Sequence, residues 1–183
     1  NGDGWRANSR YYSNAAFGTV TFSISSKFKL TAEVMQSHIR SQQPGGLTDQ
    51  QFADDARQSF RSRNWFDIKW TTPALIANIQ FSSRTRLNTK FFATIGDRNS
   101  VGFLQSVLIN DSINASTLQY NGRVVNIDQY RNYGMESRLL TEYKIGKAKH
   151  SLSAGIRLYT GNTFRRADGK GTTGTGYDVS ITG

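Results

Sequence analysis

The sequence predicts an all-β chain that forms part of the wall of an antiparallel transmembrane β-barrel, with about six long strands. Two observations carry this prediction. Stretches of about ten residues alternate apolar and polar side chains and are rich in β-branched and aromatic residues. Short turns and long polar segments alternate strictly between these stretches. Outer-membrane barrels have this asymmetry, with short turns on one side of the membrane and long extracellular loops on the other.

The composition fits a barrel wall and excludes several other classes. The 183 residues include 17 Gly, 2 Pro and no Cys, which excludes a disulfide scaffold and a thiolate metal site. The only histidines, His38 and His150, lie far apart, so neither a metal site nor a cofactor is predicted. The mean hydropathy is low, at −0.54, although 12% of the residues are aromatic. A barrel explains this combination because only alternate residues face lipid.

The charge and the chain ends add three expectations. A net charge of +10 favours an anionic partner, such as nucleic acid, phosphate headgroups or an anionic small ligand. No run of eighteen apolar residues is present, so no transmembrane helix is predicted. Residues 1–6 lack the features of a signal peptide, and the chain has no recognisable beginning or end, so we expect a fragment of a longer protein.

The first two strands form a predicted hairpin. Alternation begins at Phe17 and places Val20, Phe22 and Ile24 on one face. It resumes over residues 28–35 after a short turn, so the two stretches predict a hairpin with one apolar and one polar face.

A long polar segment, residues 39–63, follows the hairpin. Pro44 fixes its own φ and lacks an N–H, while Gly45 and Gly46 adopt positive φ at little cost. The segment therefore cannot continue either flanking strand. Because it contains apolar anchoring residues, we predict a structured loop rather than a disordered one.

Residues 64–81 are predicted to form either two short strands or one long strand that bends at Pro73, since a central strand tolerates proline only at a bend or bulge. One long strand is favoured because no turn dipeptide surrounds Pro73. Asp67 and Lys69 are predicted on its polar face. The apolar face is predicted to contain Phe66, Ile68, Trp70, Leu75, Ala77, Ile79 and Phe81.

The same pattern continues to the end of the chain. Further strands are predicted at residues 87–95, 133–144 and 152–159, with a possible seventh at 177–181. The predicted short turns are 25–27, 82–85 and 146–149. The predicted long loops are 1–16, 39–63, 97–129 and 160–177.

The polar faces are heavily charged, which favours a water-filled lumen over a dry core. A soluble antiparallel meander with one solvated face explains the alternation equally well, but not the asymmetry of the connections. The charged residues assigned to the polar faces are Lys29, Glu33, Asp67, Lys69, Lys90, Glu136, Arg138, Glu142, Lys144 and Arg157.

Several sequence blocks resemble one known family. The string QQPGGLTDQQF at 42–52 and the blocks that follow it in the same loop are similar to TonB-dependent outer-membrane receptors of the ferric citrate (FecA-like) siderophore type. Further similar blocks lie at residues 2–9, 57–59, 61–66, 86–92, 98–103 and 130–136. Because these blocks occur in order along nearly the whole chain, their combination is more specific than any one of them.

The resemblance implies a fold and a function. The family has a barrel of about 22 strands with a plug domain inside, so residues 1–183 would be an interior part of the barrel, with the plug domain and the barrel ends absent. It implies TonB-energised uptake of a ferric chelate, such as iron-citrate or another siderophore, through the outer membrane of a Gram-negative bacterium. The implied partners are the ferric siderophore, outer-membrane lipid, and TonB–ExbB–ExbD acting through the missing plug region. The full receptor would be a monomeric barrel.

The candidate ligand-binding residues are arginines and glutamines of the long loops. Arg57, Arg61, Arg63 and Arg98 are candidates because planar guanidinium groups bind carboxylates in a bidentate manner, and an iron–citrate chelate is a polycarboxylate. The alternative is that they are solvated or contact lipid phosphates. The candidates for further hydrogen bonds to the same ligand are Gln42, Gln43 and Gln105.

Other chemistry has little support in the sequence. Trp70 and Tyr143 are predicted to belong to aromatic girdles at the membrane interfaces. No nucleophile–base arrangement is present, so the chain is not predicted to be an enzyme.

Two alternative functions remain open. A small autonomous outer-membrane barrel would need about eight strands to close. A soluble basic β-sheet protein that binds nucleic acid or polysaccharide would gather its cations on one face. Charges of both signs share the predicted polar faces, which argues against nucleic acid.

Overall fold

The computed structural model describes residues 1–182 and is built around one six-stranded antiparallel sheet. The long strands are β1 (Tyr11–Ser25), β2 (Phe28–Gln42), β3 (Trp65–Gln80), β4 (Thr85–Gly102), β7 (Val124–Ile145) and β8 (Ala148–Lys170). The remaining elements are a short helix, α1 (Asp49–Asp54), and the two-residue strands β5 (Ile113–Asn114) and β6 (Gln119–Tyr120). Each long strand pairs with the next long strand in the chain, so the predicted all-β antiparallel wall is confirmed.

The sheet is open. Within residues 1–182, β1 pairs only with β2 and β8 only with β7, so each has one unpaired edge. The possible seventh strand at residues 177–181 is not formed: Ile181 makes a single β-bridge with Gly171 and the rest of the segment is irregular. The described residues therefore form a wall and not a closed small barrel.

No helix among them is long and apolar enough to cross a membrane.

The connections have the predicted alternation of length. Two residues join β1 to β2, four join β3 to β4, and two join β7 to β8. Gly146, in the last of these turns, has a φ of +60°, which glycine adopts without strain. The long connections are 43–64 and 103–123, shorter than predicted, because the strands continue well past the segments that alternate clearly.

One sheet face carries a continuous apolar belt next to the short turns. A single row across all six strands consists of Val20, Ala32, Leu75, Phe91, Met135 and Leu158. On β4 the belt extends over Leu87–Ile95, close to the 9–11 residues that a tilted strand needs to cross a bilayer. We call this side the outward face. Its large side chains are exposed, as Phe22 is at 57%, and an apolar patch of this extent marks a contact with lipid or a partner.

The opposite, inward face is polar at the same height. One of its rows consists of Thr21, Thr31, Ile76, Lys90, Glu136 and Arg157. A strand that is apolar on one side and charged on the other suits a wall between lipid and water.

The predicted faces of β3 need a correction at Pro73. The register with β2 is continuous through Pro73, so the side chains alternate without a break. Phe66, Ile68 and Trp70 therefore share the inward face with Ala74, while Asp67 and Lys69 lie on the outward face, beyond the apolar belt. The prediction assigned both groups to the wrong side because it assumed that an apolar side chain always belongs to the apolar face.

The buried interior lies at the loop end of the sheet. Val101 and Val125 face each other across β4 and β7 and are almost fully buried, as is Phe103 just after β4. The segment after β8 contacts the outward face there, since the Trp65 indole N–H donates to the Thr175 carbonyl at 2.9 Å. Side chains and loop segments are therefore packed together at the loop end of the sheet, whereas the outward side chains of the belt are exposed.

Candidate functional site

Three charged residues meet on the inward face near the loop end. Arg98 of β4 lies opposite Asp128 of β7, which lies opposite Arg165 of β8. We call these three residues the inward cluster. Their strand register holds them side by side in one row, although they are separated by 30 and 37 residues in the chain.

Asp128 is the buried centre of the inward cluster. Its side chain is 3% exposed and accepts hydrogen bonds from Arg98 Nη1 at 3.1 Å and from Arg165 Nε at 2.7 Å. The arginines keep 46% and 62% of their side chains exposed. One carboxylate holds two guanidinium groups in place and neutralises only one of their charges, so the cluster presents a positive, donor-rich surface.

Aromatic rings line the same face beside the cluster. The Arg98 guanidinium lies over the Phe66 ring, 4.8 Å from its centroid. Trp70 and Tyr130 stack with centroids 5.2 Å apart. The Trp70 ring lies over Gly96, where any added side chain would collide with it. These contacts fix the arginine and the rings before any ligand arrives, which lowers the entropic cost of binding.

The cluster suits the capture of an anion. The exposed parts of the two guanidinium groups carry N–H donors that are held in place by Asp128. Guanidinium groups bind carboxylates in a bidentate manner. Residues 1–182 contain no group of three or more His, Asp or Glu side chains placed to hold a metal ion.

Arg61, one of the predicted ligand residues, is instead a contact within the loops. It is 4% exposed, and its guanidinium donates to the backbone carbonyls of Phe60, Gln105, Ser106 and Ile109 at 2.8–3.0 Å. These bonds tie the β2–β3 loop to the β4–β7 loop.

Arg63 has the same kind of role at a deeper position. It is fully buried and pairs with Asp111, with Nε 2.8 Å from Oδ2. It also donates to the carbonyls of Asn121 and Thr173 and lies over the Tyr120 ring. Arg63 therefore joins three long segments of the chain, and ligand binding by Arg61 or Arg63 remains an untested prediction.

The other predicted site residues do not converge. Arg57 is exposed and donates to the Trp5 carbonyl, whereas Gln42 and Gln43 bond to Ser62 and Ser41. Gln105 is exposed, and its backbone carbonyl serves Arg61. Of the seven predicted residues, Arg98 alone belongs to the inward cluster.

Arg123 is a buried arginine that is not among the predicted site residues. It is 1% exposed and donates to the carbonyls of Arg63 and Gly176. Burial and the neighbouring Arg63 charge lower the pKa of the Arg123 guanidinium. Burial also raises the pKa of Tyr177, whose ring stacks under Arg40. Arg61, Arg63 and Arg123 together act as donors to loop carbonyls and form what we call the arginine core.

The structure places the two predicted girdle residues on opposite faces of the sheet, so the girdle role stays a prediction for Tyr143 and is wrong for Trp70. Tyr143 lies on the outward face near a short turn and stacks on His150, with ring centroids 5.5 Å apart. Trp70 faces inward, so it cannot belong to a lipid-facing girdle.

Comparison with known proteins bears on the fold. The chain superimposes on a crystal structure of the ferric citrate transporter FecA in the unliganded form, with a TM-score of 0.74 and 18% sequence identity. The chain shares its fold with a segment of that transporter. The match covers 95% of this chain and 25% of the transporter, so the chain spans about a quarter of that protein's length. No protein-family model and no curated protein sequence matches the chain.

Proposed function

We propose that this chain forms part of the wall of a TonB-energised outer-membrane receptor that takes up an anionic ferric chelate, such as iron-citrate or another siderophore. The inward cluster carries the proposal, because it places fixed, positively charged donors on the polar side of a wall whose other side is apolar. The role is binding and transport, with no catalysis.

The outward belt supports the membrane placement. A row such as Val20–Ala32–Leu75–Phe91–Met135–Leu158 exposes apolar side chains on every strand, which costs free energy in water and gains it in lipid. The short turns and the long loops then lie on opposite sides of the bilayer. The FecA-like fold fits this placement.

The position of the inward cluster supports an anionic ligand that enters from the loop side. Arg98, Asp128 and Arg165 lie between the belt level and the long loops, where a molecule that enters a barrel from outside meets the wall. In this proposal TonB–ExbB–ExbD deliver energy through a plug region outside this chain, and the complete receptor acts as a monomer in the outer membrane.

Removal of the two cluster arginines should weaken chelate binding. In the receptor that contains this chain, Arg98→Ala and Arg165→Ala should each lower the affinity for ferric citrate about tenfold or more, because each removes a charge-assisted hydrogen-bond donor. Equilibrium binding of iron-loaded and iron-free chelate measures the effect.

The matched control is Arg166→Ala. Arg166 is the neighbour of Arg165 in the chain but lies on the outward face, so its loss should leave binding unchanged. Arg57→Ala in the same assay tests the loop prediction separately. Wild-type affinity for the chelate in both Arg98→Ala and Arg165→Ala would show that the inward cluster is not part of the ligand site.

A further inference from the structure

The three short turns form a basic end of the wall. Residues 25–29, 81–86 and 143–150 contain no Asp or Glu, and Glu142 is the acid nearest to them in sequence. We call these three ranges the basic rim. Its seven cations are Lys27, Lys29, Arg84, Arg86, Lys144, Lys147 and Lys149.

The cations of the rim have no acidic partners. None of the seven forms an ion pair with another group in residues 1–182. At the loop end, by contrast, Arg40, Arg63, Arg98, Arg131 and Arg165 are each paired with an aspartate. Because the rim contains seven cations and no acid, it carries +7 of the chain's net charge of +10.

Three of the cations lie in the turns themselves, and each is within three residues along the chain of an exposed apolar side chain. Lys27 is close in sequence to Ile24, which is 58% exposed. Arg84 shares its turn with Phe81, which is 56% exposed, and Lys147 follows Ile145, which is 64% exposed. The same pair of groups, an apolar side chain with a cation just beyond it, is thus repeated at every short turn.

Stacked aromatic rings mark the same level on the outward face. Tyr143 and His150 lie side by side at the end of the β7–β8 hairpin, where β-barrels place amphipathic rings among lipid headgroups. The turns are therefore at headgroup depth if the belt is in the hydrocarbon region.

We propose that Lys27, Arg84 and Lys147 bind the phosphate groups of anionic phospholipids in the leaflet that meets the short turns. This inference rests on the membrane placement in the proposed function. The apolar neighbours contact the acyl chains, and the cations just beyond them contact the phosphates, as basic residues at membrane surfaces do.

The spacing favours lipids over a compact anion. Neighbouring turns are two strands apart, about 10 Å along the sheet, which is too far for one small anion to bridge. A row of separate headgroups along the wall matches this repeat. The inward-facing cations of the rim are Lys29, Arg86, Lys144 and Lys149, which lie on the face opposite the apolar belt. The first three provide an internal comparison.

The test uses the receptor that contains this chain, reconstituted in nanodiscs of phosphatidylcholine with a minor fraction of phosphatidylglycerol. The turn variant combines Lys27→Gln, Arg84→Gln and Lys147→Gln. The matched control combines Lys29→Gln, Arg86→Gln and Lys144→Gln, which removes the same charge from the inward face. Native mass spectrometry measures how strongly phosphatidylglycerol is retained relative to phosphatidylcholine.

The turn variant should lose about fivefold in relative affinity for each cation removed, and the control should match the wild type. Added salt should weaken the wild-type preference, because exposed charges are screened. A turn variant with the wild-type preference for phosphatidylglycerol would overturn the inference. A loss of this preference confined to the control would also overturn it, because the inward-facing cations would then be the ones that bind the anionic lipid. A protein that does not insert into the bilayer would overturn the proposed function as well.

Discussion

Arg63→Ala should release the long loops from each other while the sheet remains. The change leaves the Asp111 carboxylate, 1% exposed, without its counter-ion and leaves the carbonyls of Asn121 and Thr173 without their donor. Loss of one partner from a buried ion pair costs about 3–5 kcal/mol. Hydrogen–deuterium exchange should show faster exchange in residues 43–64 and 103–123 and little change in β3 and β4.

Two further variants make the prediction specific to the buried pair. Arg57→Ala removes an exposed arginine from the same loop and should leave exchange near the wild-type level. Arg63→Met combined with Asp111→Leu should recover part of the loss, since no charge is then left unpaired. Equal exchange in Arg63→Ala and the wild type would show that the arginine core does not hold the loops.

Leu75→Arg should destabilise the protein in a bilayer by about 2–4 kcal/mol, the cost of an arginine on the lipid face near the membrane midplane. Leu75 is in the middle row of the belt, between Ala32 and Phe91 on the adjacent strands. Denaturant titration of the protein folded into phospholipid vesicles measures the free energy of unfolding.

The control for Leu75 is the preceding residue. Ala74 lies on the inward face opposite Glu33 and Phe92, so Ala74→Arg places the same charge in a polar row. We expect it to cost less than about 1 kcal/mol, the range of ordinary exposed substitutions. Equal destabilisation by the two arginines would contradict a wall that separates lipid from water.

Period-two alternation was sufficient to predict the six long strands, their order of connection and the short turns. It failed at the strand ends. β4 extends to Gly102 and β7 begins at Val124, although residues 97–129 show no clear alternation of apolar and polar side chains and were assigned to a loop. Backbone pairing continues beyond the apolar belt because the ladder needs only N–H and C=O groups, whereas alternation is visible only where one face contacts lipid.

The face of each side chain was predictable only within an uninterrupted pattern. At Pro73 the apolar residues change from even to odd positions, and the sequence alone does not show whether the strand or the surface chemistry changes there. The continuous register with β2 shows that the surface changes. Between the belt and the long loops, aromatic side chains such as Trp70 lie on the inward face and charged side chains such as Asp67 lie on the outward face.

The sequence predicted the type of residue in the candidate site, but not which residues form the inward cluster. Arginine was the expected donor, and Arg98 belongs to the inward cluster, but Asp128 and Arg165 become its partners only through the registers of β4, β7 and β8. Nothing in the sequence distinguishes the exposed Arg57 from the buried Arg63. The short helix α1 was not predicted, although Thr48 and Gln51 have the spacing of the capping box that they form at its start.

A cysteine scan of β3 tests the membrane wall most directly. The 183 residues contain no Cys, so in the receptor that contains this chain, with any cysteine elsewhere replaced, a spin label attached at a single site from 73 to 79 reports one position at a time. Electron paramagnetic resonance in vesicles compares collisions with oxygen, which is concentrated in lipid, and with a water-soluble relaxing agent. We expect labels at 73, 75, 77 and 79 to collide mainly with oxygen and labels at 74, 76 and 78 to collide mainly with the water-soluble agent. Water exposure at 75 and 77, or the absence of a two-residue period, would contradict the membrane wall.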